Sequence, residues 1–190
     1  MSYSILRRAT LLASTVTSLA AAPVGLVSGQ AVIDTKSAAH IRDAYLADLD
    51  TVHRKIVALA NAIPADKYSW RPGPGVRSIA EVLTHVAGEW YFYTPNSVGG
   101  RPPAGFTRAS MTKLDSVKTK ADVLSELDKS WAHCKAAVIQ ADPSKLTATY
   151  EPWKQSLAAS AFLMSGDLHE HLGQLIAYAR SVGTKPPWTK

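Results

Sequence analysis

A chain of 190 residues with 46% apolar side chains is long enough for one domain with a sizeable core and short for several. Its 21 Lys and Arg against 15 Asp and Glu give +6; residues 1–31 hold two of the basic residues and no acid, so the rest carries 19 against 15, or +4. That balance, with no extended Lys/Arg run, excludes a phosphate-tracking surface and sets DNA and RNA aside as partners. The single cysteine, Cys134, excludes an intrachain disulfide and, lying in an apolar helical pattern with no base beside it, reads as an inert buried thiol.

The first element in chain order is residues 1–31. Arg7 and Arg8 precede an uncharged stretch rich in Leu, Ala, Val and Thr, which ends in small residues at Ala20–Ala22 and Gly29–Ala31. That order is the pattern of a cleaved secretory signal peptide, and the arginine pair also allows a twin-arginine route. Pro23, Gly25, Ser28 and Gly29 keep the continuous apolar part below the roughly 20 residues a membrane span needs. The expectation is an exported protein, periplasmic or secreted, with no stable membrane span after cleavage near Ala31 and a single domain over residues 32–190.

Within that domain, Ile41, Tyr45, Leu49, Val52, Ile56, Leu59 and Ile63 recur at three and four, predicting a helix from Ser37 to about Ile63. Pro64 ends it, and the Pro/Gly run from Arg71 to Gly75 cannot continue one. Ser78 with Glu81 three residues on reads as a capping box opening a second helix through Ile79, Val82, Leu83, Val86 and Trp90 to about Tyr93. The prolines and glycines from Pro95 to Gly105 predict a long loop over the end of the bundle, with Trp90 and Tyr91 leading into it as the mouth of a site. Thr119 with Asp122 opens a third helix, through Leu127, Trp131 and Val138 to Pro143. Thr147–Tyr150 reads as a short extended piece, and one such piece makes no sheet. The fourth helix spans residues 156–182 and is closed by Gly183 and Pro186-Pro187. Four helices with no strand pattern between them predict an all-α, up-down four-helix bundle.

The chemistry-bearing residues cluster on two of these helices. Residues four apart lie one above the other, about 6 Å along the axis, so Asp167 and His171 project the same way, and Gln174 and Tyr178 continue the row. In the second helix His85 shares the inward seam with Val82 and Glu89, where an unpartnered imidazole is costly. Spacing alone leaves two readings open: a divalent cation held by His85, Asp167 and His171, or a hydrogen-bonded cluster without metal. Glu89, Gln174 and Tyr178 are the candidates for orienting substrate or moving protons. His53, near the inner seam of the first helix, is a lesser candidate ligand; His40 and His133 read as rim positions, and His169 and Glu170 as solvent-facing or rim.

The segment KYSWRPGPGVRSIAEVLTH at 67–85 and the segment HLGQLIAYAR at 171–180, with the terminal Pro186-Pro187-Trp188, resemble the DinB superfamily. The resemblance covers essentially the whole chain after residue 31. It implies a four-helix bundle with one divalent metal, usually bound by three histidines. Carried over by residue, His85 matches the ligand on the second helix and His171 the last ligand on the fourth; the ligand position four residues earlier is Asp167 here, not histidine. Two imidazoles and a carboxylate suit zinc or nickel, and also iron or manganese. The resemblance implies a metal-dependent enzyme of hydrolase or thiol-transferase type acting on a small molecule, with a non-catalytic periplasmic metal-holding or small-molecule-binding bundle as the alternative. A homodimer is the default expectation for assembly.

Overall fold

The structure, a computed structural model, describes residues 33–189; the segment read as a signal peptide lies outside the described residues. Helix α1 (Thr35–Ala62) begins where the Asp34 carboxylate accepts the Ser37 N–H at 2.9 Å, and stops at Ile63, ahead of Pro64. Its inward stripe of Tyr45, Leu49, Val52, Ile56 and Leu59 is the one the spacing predicts. Helix α2 (Ile79–Tyr91) starts at the expected capping box: the Ser78 hydroxyl accepts the Glu81 N–H, and the Glu81 carboxylate accepts the Ser78 N–H at 2.8 Å. Such a cap contributes about 1 kcal/mol and fixes where α2 begins.

The segment expected as one long loop is partly helical. A single turn, α3 (Tyr93–Asn96), follows α2, and α4 (Arg108–Leu114) lies beyond the Pro/Gly stretch. Helix α4 rests on α2 at Gly88, where a Cβ would come within 3.1 Å of the Met111 side chain. Helix α5 (Lys120–Gln140) is capped by Thr119 and buries Leu127, Trp131, Cys134 and Val138; Cys134 is fully buried, and burial pushes its thiol pKa well up, as an inert thiol requires. The extended piece does find a partner: β1 (Thr149–Tyr150) pairs antiparallel with β2 (Gln155–Ser156), turning at Lys154, whose φ of 53° is left-handed. Ser156 then caps α6 (Leu157–Ser181), accepting the Ala159 N–H.

The four long helices share one core, each packing against two others: α1 and α2 both pack on α5 and on α6. Lys120, at the start of α5, donates to the carbonyls of Asn61 and Ile63 at the end of α1, and Lys135 pairs with Asp50, so these two run antiparallel. Ala38 packs with Leu157, and further along Asp48 bonds Ser165 and His169, so α6 runs parallel to α1. Glu81 pairs with Lys118 and Tyr91 donates to Glu126, so α2 and α5 are parallel as well. The order is therefore up-down-down-up, not the strict alternation expected. Residues 92–119 cause the difference, carrying the chain back along the bundle as a crossover that periodicity alone does not reveal. Among the described residues no helix is long and apolar enough to cross a membrane.

Candidate metal centre

His85 and Glu89 stand one turn apart on α2, on the face that meets α6. There they meet His171. His85 Nε2 lies 3.1 Å and His171 Nε2 3.4 Å from the same oxygen, Glu89 Oε1. The two imidazoles are nearly perpendicular, at 84° with ring centres 4.9 Å apart, so both nitrogens aim at one point and not at each other. One donor atom from each of His85, Glu89 and His171 fits within 4.8 Å.

Glu89 is only 2% exposed, and its second oxygen, Oε2, is buried with no hydrogen-bond partner among the described residues. A buried carboxylate with an orphaned oxygen is costly unless a cation faces it. Burial alone would push the Glu89 pKa up, but the hydrogen bonds from His171 and His85 outweigh it and hold the group down at about 2. The two imidazole nitrogens and the carboxylate thus form a donor set that suits a divalent ion of the zinc or nickel kind.

Asp167 meets this convergence from the solvent side, its carboxyl group close to that of Glu89. Its nearest oxygen is 4.0 Å from His171 Nε2 and its side chain is 44% exposed, so it borders the cluster from the solvent side. Partial burial and the neighbouring Glu89 charge push its pKa up to about 6. The structure therefore brings His85, His171 and Glu89 closest together, and puts Asp167, expected as the third ligand, beside them on the side of the cavity. Glu89, expected as a proton-handling residue, sits among the converging donor atoms.

Gln174 and Tyr178 lie behind His171. The Gln174 amide oxygen is 3.3 Å from His171 Nδ1, and its amide nitrogen donates to the Tyr178 hydroxyl at 2.9 Å. An amide oxygen only accepts, so Nδ1 carries its proton and Nε2 is the nitrogen presented to the cluster. With an acceptor at each nitrogen, the His171 imidazolium is favoured: burial works against it, but Glu89 and Gln174 raise its pKa above the ordinary value. Tyr178 is wedged edge-on against Trp70 with ring centres 5.3 Å apart. Both residues orient His171; neither lines the cavity above it.

That cavity, of about 500 Å³, has His85, Glu89 and Asp167 at its floor and Phe92, Tyr93, Tyr150 and Trp153 in its walls, with Arg108 at the edge. The mouth is not built as expected. Trp90 is buried against His53 and Trp131, Tyr91 turns to Phe106, and no residue of the Pro95–Gly105 stretch lines the opening. Sequence reasoning missed Arg108, Tyr150 and Trp153; two aromatic residues at and just after the short extended piece Thr147–Tyr150 were the available signal. The other histidines lie away from the cluster, His40 beside a separate groove between α1 and α6. His53 stacks on Trp131 at 4.3 Å, His133 bonds the Arg101 carbonyl, and His169 pairs with Asp48 at 2.9 Å.

No curated protein matches the chain. A family model described as the DinB superfamily matches residues 48–175, a span that contains the cap of α2, the whole crossover, and all of His85, Glu89, Asp167 and His171. With two thirds of its length covered by that match, the chain belongs to the DinB superfamily.

Proposed function

We propose that the protein is a divalent-metal-dependent enzyme acting on a small molecule, of hydrolase or thiol-transferase type, with His85, Glu89 and His171 holding the ion. The observation that carries this reading is the convergence of two imidazole nitrogens on a buried carboxylate that keeps one oxygen orphaned. A bound ion supplies Lewis acidity, polarising whatever group of the substrate or nucleophile reaches it.

The chain's own residues supply the rest. Gln174 and Tyr178 hold the His171 ring in the tautomer that presents Nε2. The half-exposed Asp167, beside the cluster and in the lining of the cavity, is the group placed to exchange a proton with a bound substrate. The aromatic walls exclude water from the floor once a substrate enters.

The test is elemental analysis of the purified protein beside its Glu89→Gln, Asp167→Asn and His171→Ala variants. Near-stoichiometric metal in the wild type and the Asp167 variant, with loss in the other two, is the expected result. Metal retained by Glu89→Gln and lost from Asp167→Asn would make His85, Asp167 and His171 the ligand set. Absence of metal from the wild type after reconstitution would leave the second reading, in which Glu89 and the two histidines satisfy one another as a structural cluster of a non-catalytic binding protein, a reading that their close approach allows.

A further inference from the structure

The cavity over the cluster has a chemical character distinct from its floor. Tyr93 and Trp153 lie within 29° of parallel with ring centres 6.0 Å apart, Tyr150 meets Trp153 edge-on at 4.8 Å, and Phe92 meets Tyr93 edge-on at 5.1 Å. Interlocked rings of this kind form a stiff wall whose faces favour a flat, apolar body over a hydroxyl-rich one. A space of about 500 Å³ takes a ligand of one or two rings.

Charge is laid out unevenly around that space. Both carboxylates, Glu89 and Asp167, are at the floor, and the one Arg or Lys in the lining, Arg108, is at the edge on α4. Among the described residues Arg108 makes no ion pair, whereas Arg42 and Arg71 each hold a carboxylate. Arg108 is free to receive an anionic group at the edge, where its planar guanidinium fork matches a carboxylate's two oxygens.

We infer that the cavity takes a small planar aromatic carboxylate, its rings against Tyr93 and Trp153, its carboxylate on Arg108, and its opposite end turned to the His85–Glu89–His171 cluster. The placement of the reacting end rests on the metal-centre reading above. The rim contact does not, because it depends on Arg108 and the aromatic wall alone. Arg108 is the residue that selects for charge, and Trp153 the residue that selects for flatness.

Isothermal titration with 2-naphthoate and its neutral counterpart 2-naphthamide tests this, on zinc-loaded and on chelated protein. The wild type is expected to bind the naphthoate about tenfold more tightly than the amide, the change one charge-assisted bidentate contact supplies. That preference disappears in Arg108→Gln, returns in part in Arg108→Lys, and is seen in both metal states. Arg108 is exposed, so these variants keep the wild-type helical signal. A preference that survives Arg108→Gln, that is absent from the wild type, or that appears only with zinc bound would overturn the inference, as would failure of both probes to bind. Zinc content, measured on the same samples, separates the two readings: protein that binds no zinc yet shows the Arg108-dependent preference refutes only the metal centre. Protein that binds zinc without that preference refutes only the ligand assignment.

Discussion

Replacing Glu89 with glutamine keeps the volume of the side chain and removes the charge that His85 and His171 share. In the metal-free protein the carboxylate is held at about 2 against an ordinary 4.5, which corresponds to ~3 kcal/mol at about 1.4 kcal/mol per pH unit. With the group 2% exposed, solvent screening removes little of this. The pH window follows from the two directions. The depressed Glu89 contributes stability that is present above 4.5 and lost as pH falls towards 2. His171, raised above its ordinary 6.5, contributes stability that is present below 6.5 and lost as pH rises through its folded value. The gap between wild type and Glu89→Gln is therefore widest from 4.5 to 6.5 and closes on both sides. Urea unfolding of the chelated proteins, followed by helical circular dichroism, reads it directly: the variant should be about 3 kcal/mol less stable near pH 5.5. Equal midpoints there, or a gap that widens steadily into alkali, would refute the reasoning.

Three further outcomes follow from the same geometry. Gln174→Leu removes the acceptor on His171 Nδ1 and should weaken zinc binding by about tenfold or more at unchanged helicity, read by competition with a chelating dye. Asp167→Asn removes a carboxylate whose folded pKa lies above its ordinary 3.8, so the charged form is penalised as pH rises through about 6; discounted for its 44% exposure, the variant should gain about 1 kcal/mol in chelated protein near pH 8 and nothing near pH 4, by urea melts at each pH. Leu168→Ala empties a fully buried position of α6 and should cost about 3 kcal/mol in the same melts, while leaving the His85 pairing on α2 in place.

The long helices were legible because each buries a stripe at helical spacing, and the ends were legible where a side chain makes the stop or start, as Ser78 and Pro64 do. The rise between residues four apart placed His85 with Glu89 and Asp167 with His171 on common faces. It did not say which three of the four converge, because that depends on how α2 and α6 are rotated and cross, a property of packing and not of either helix alone. The direction of α5 was hidden for a related reason: helical periodicity is the same whether a helix runs up or down, and only contacts such as Lys120 to Asn61 decide it. Helix α4 carries no buried residue and hence no apolar stripe, and β1 and β2 are too short to alternate. The mouth of the site was consequently assigned to the Pro/Gly stretch, when its lining comes from Phe92 and Tyr93 just after α2, Arg108 of α4, Tyr150 of β1, and Pro152 and Trp153 in the turn that follows.

Gly88 sits beside Glu89 in the chain, yet what it touches is Met111, three residues along α4 from Arg108. The nearest atoms to a Cβ there belong to a flexible thioether side chain and not to backbone, so a methyl group is accommodated by Met111 giving way. A larger side chain would lift α4 and re-aim the guanidinium, while the helices bearing His85, Glu89 and His171 stay packed through the core. Position 88 is thus a mechanical link between two parts of the molecule, through which the setting of α4 can change while the helices that bear His85, Glu89 and His171 keep their packing.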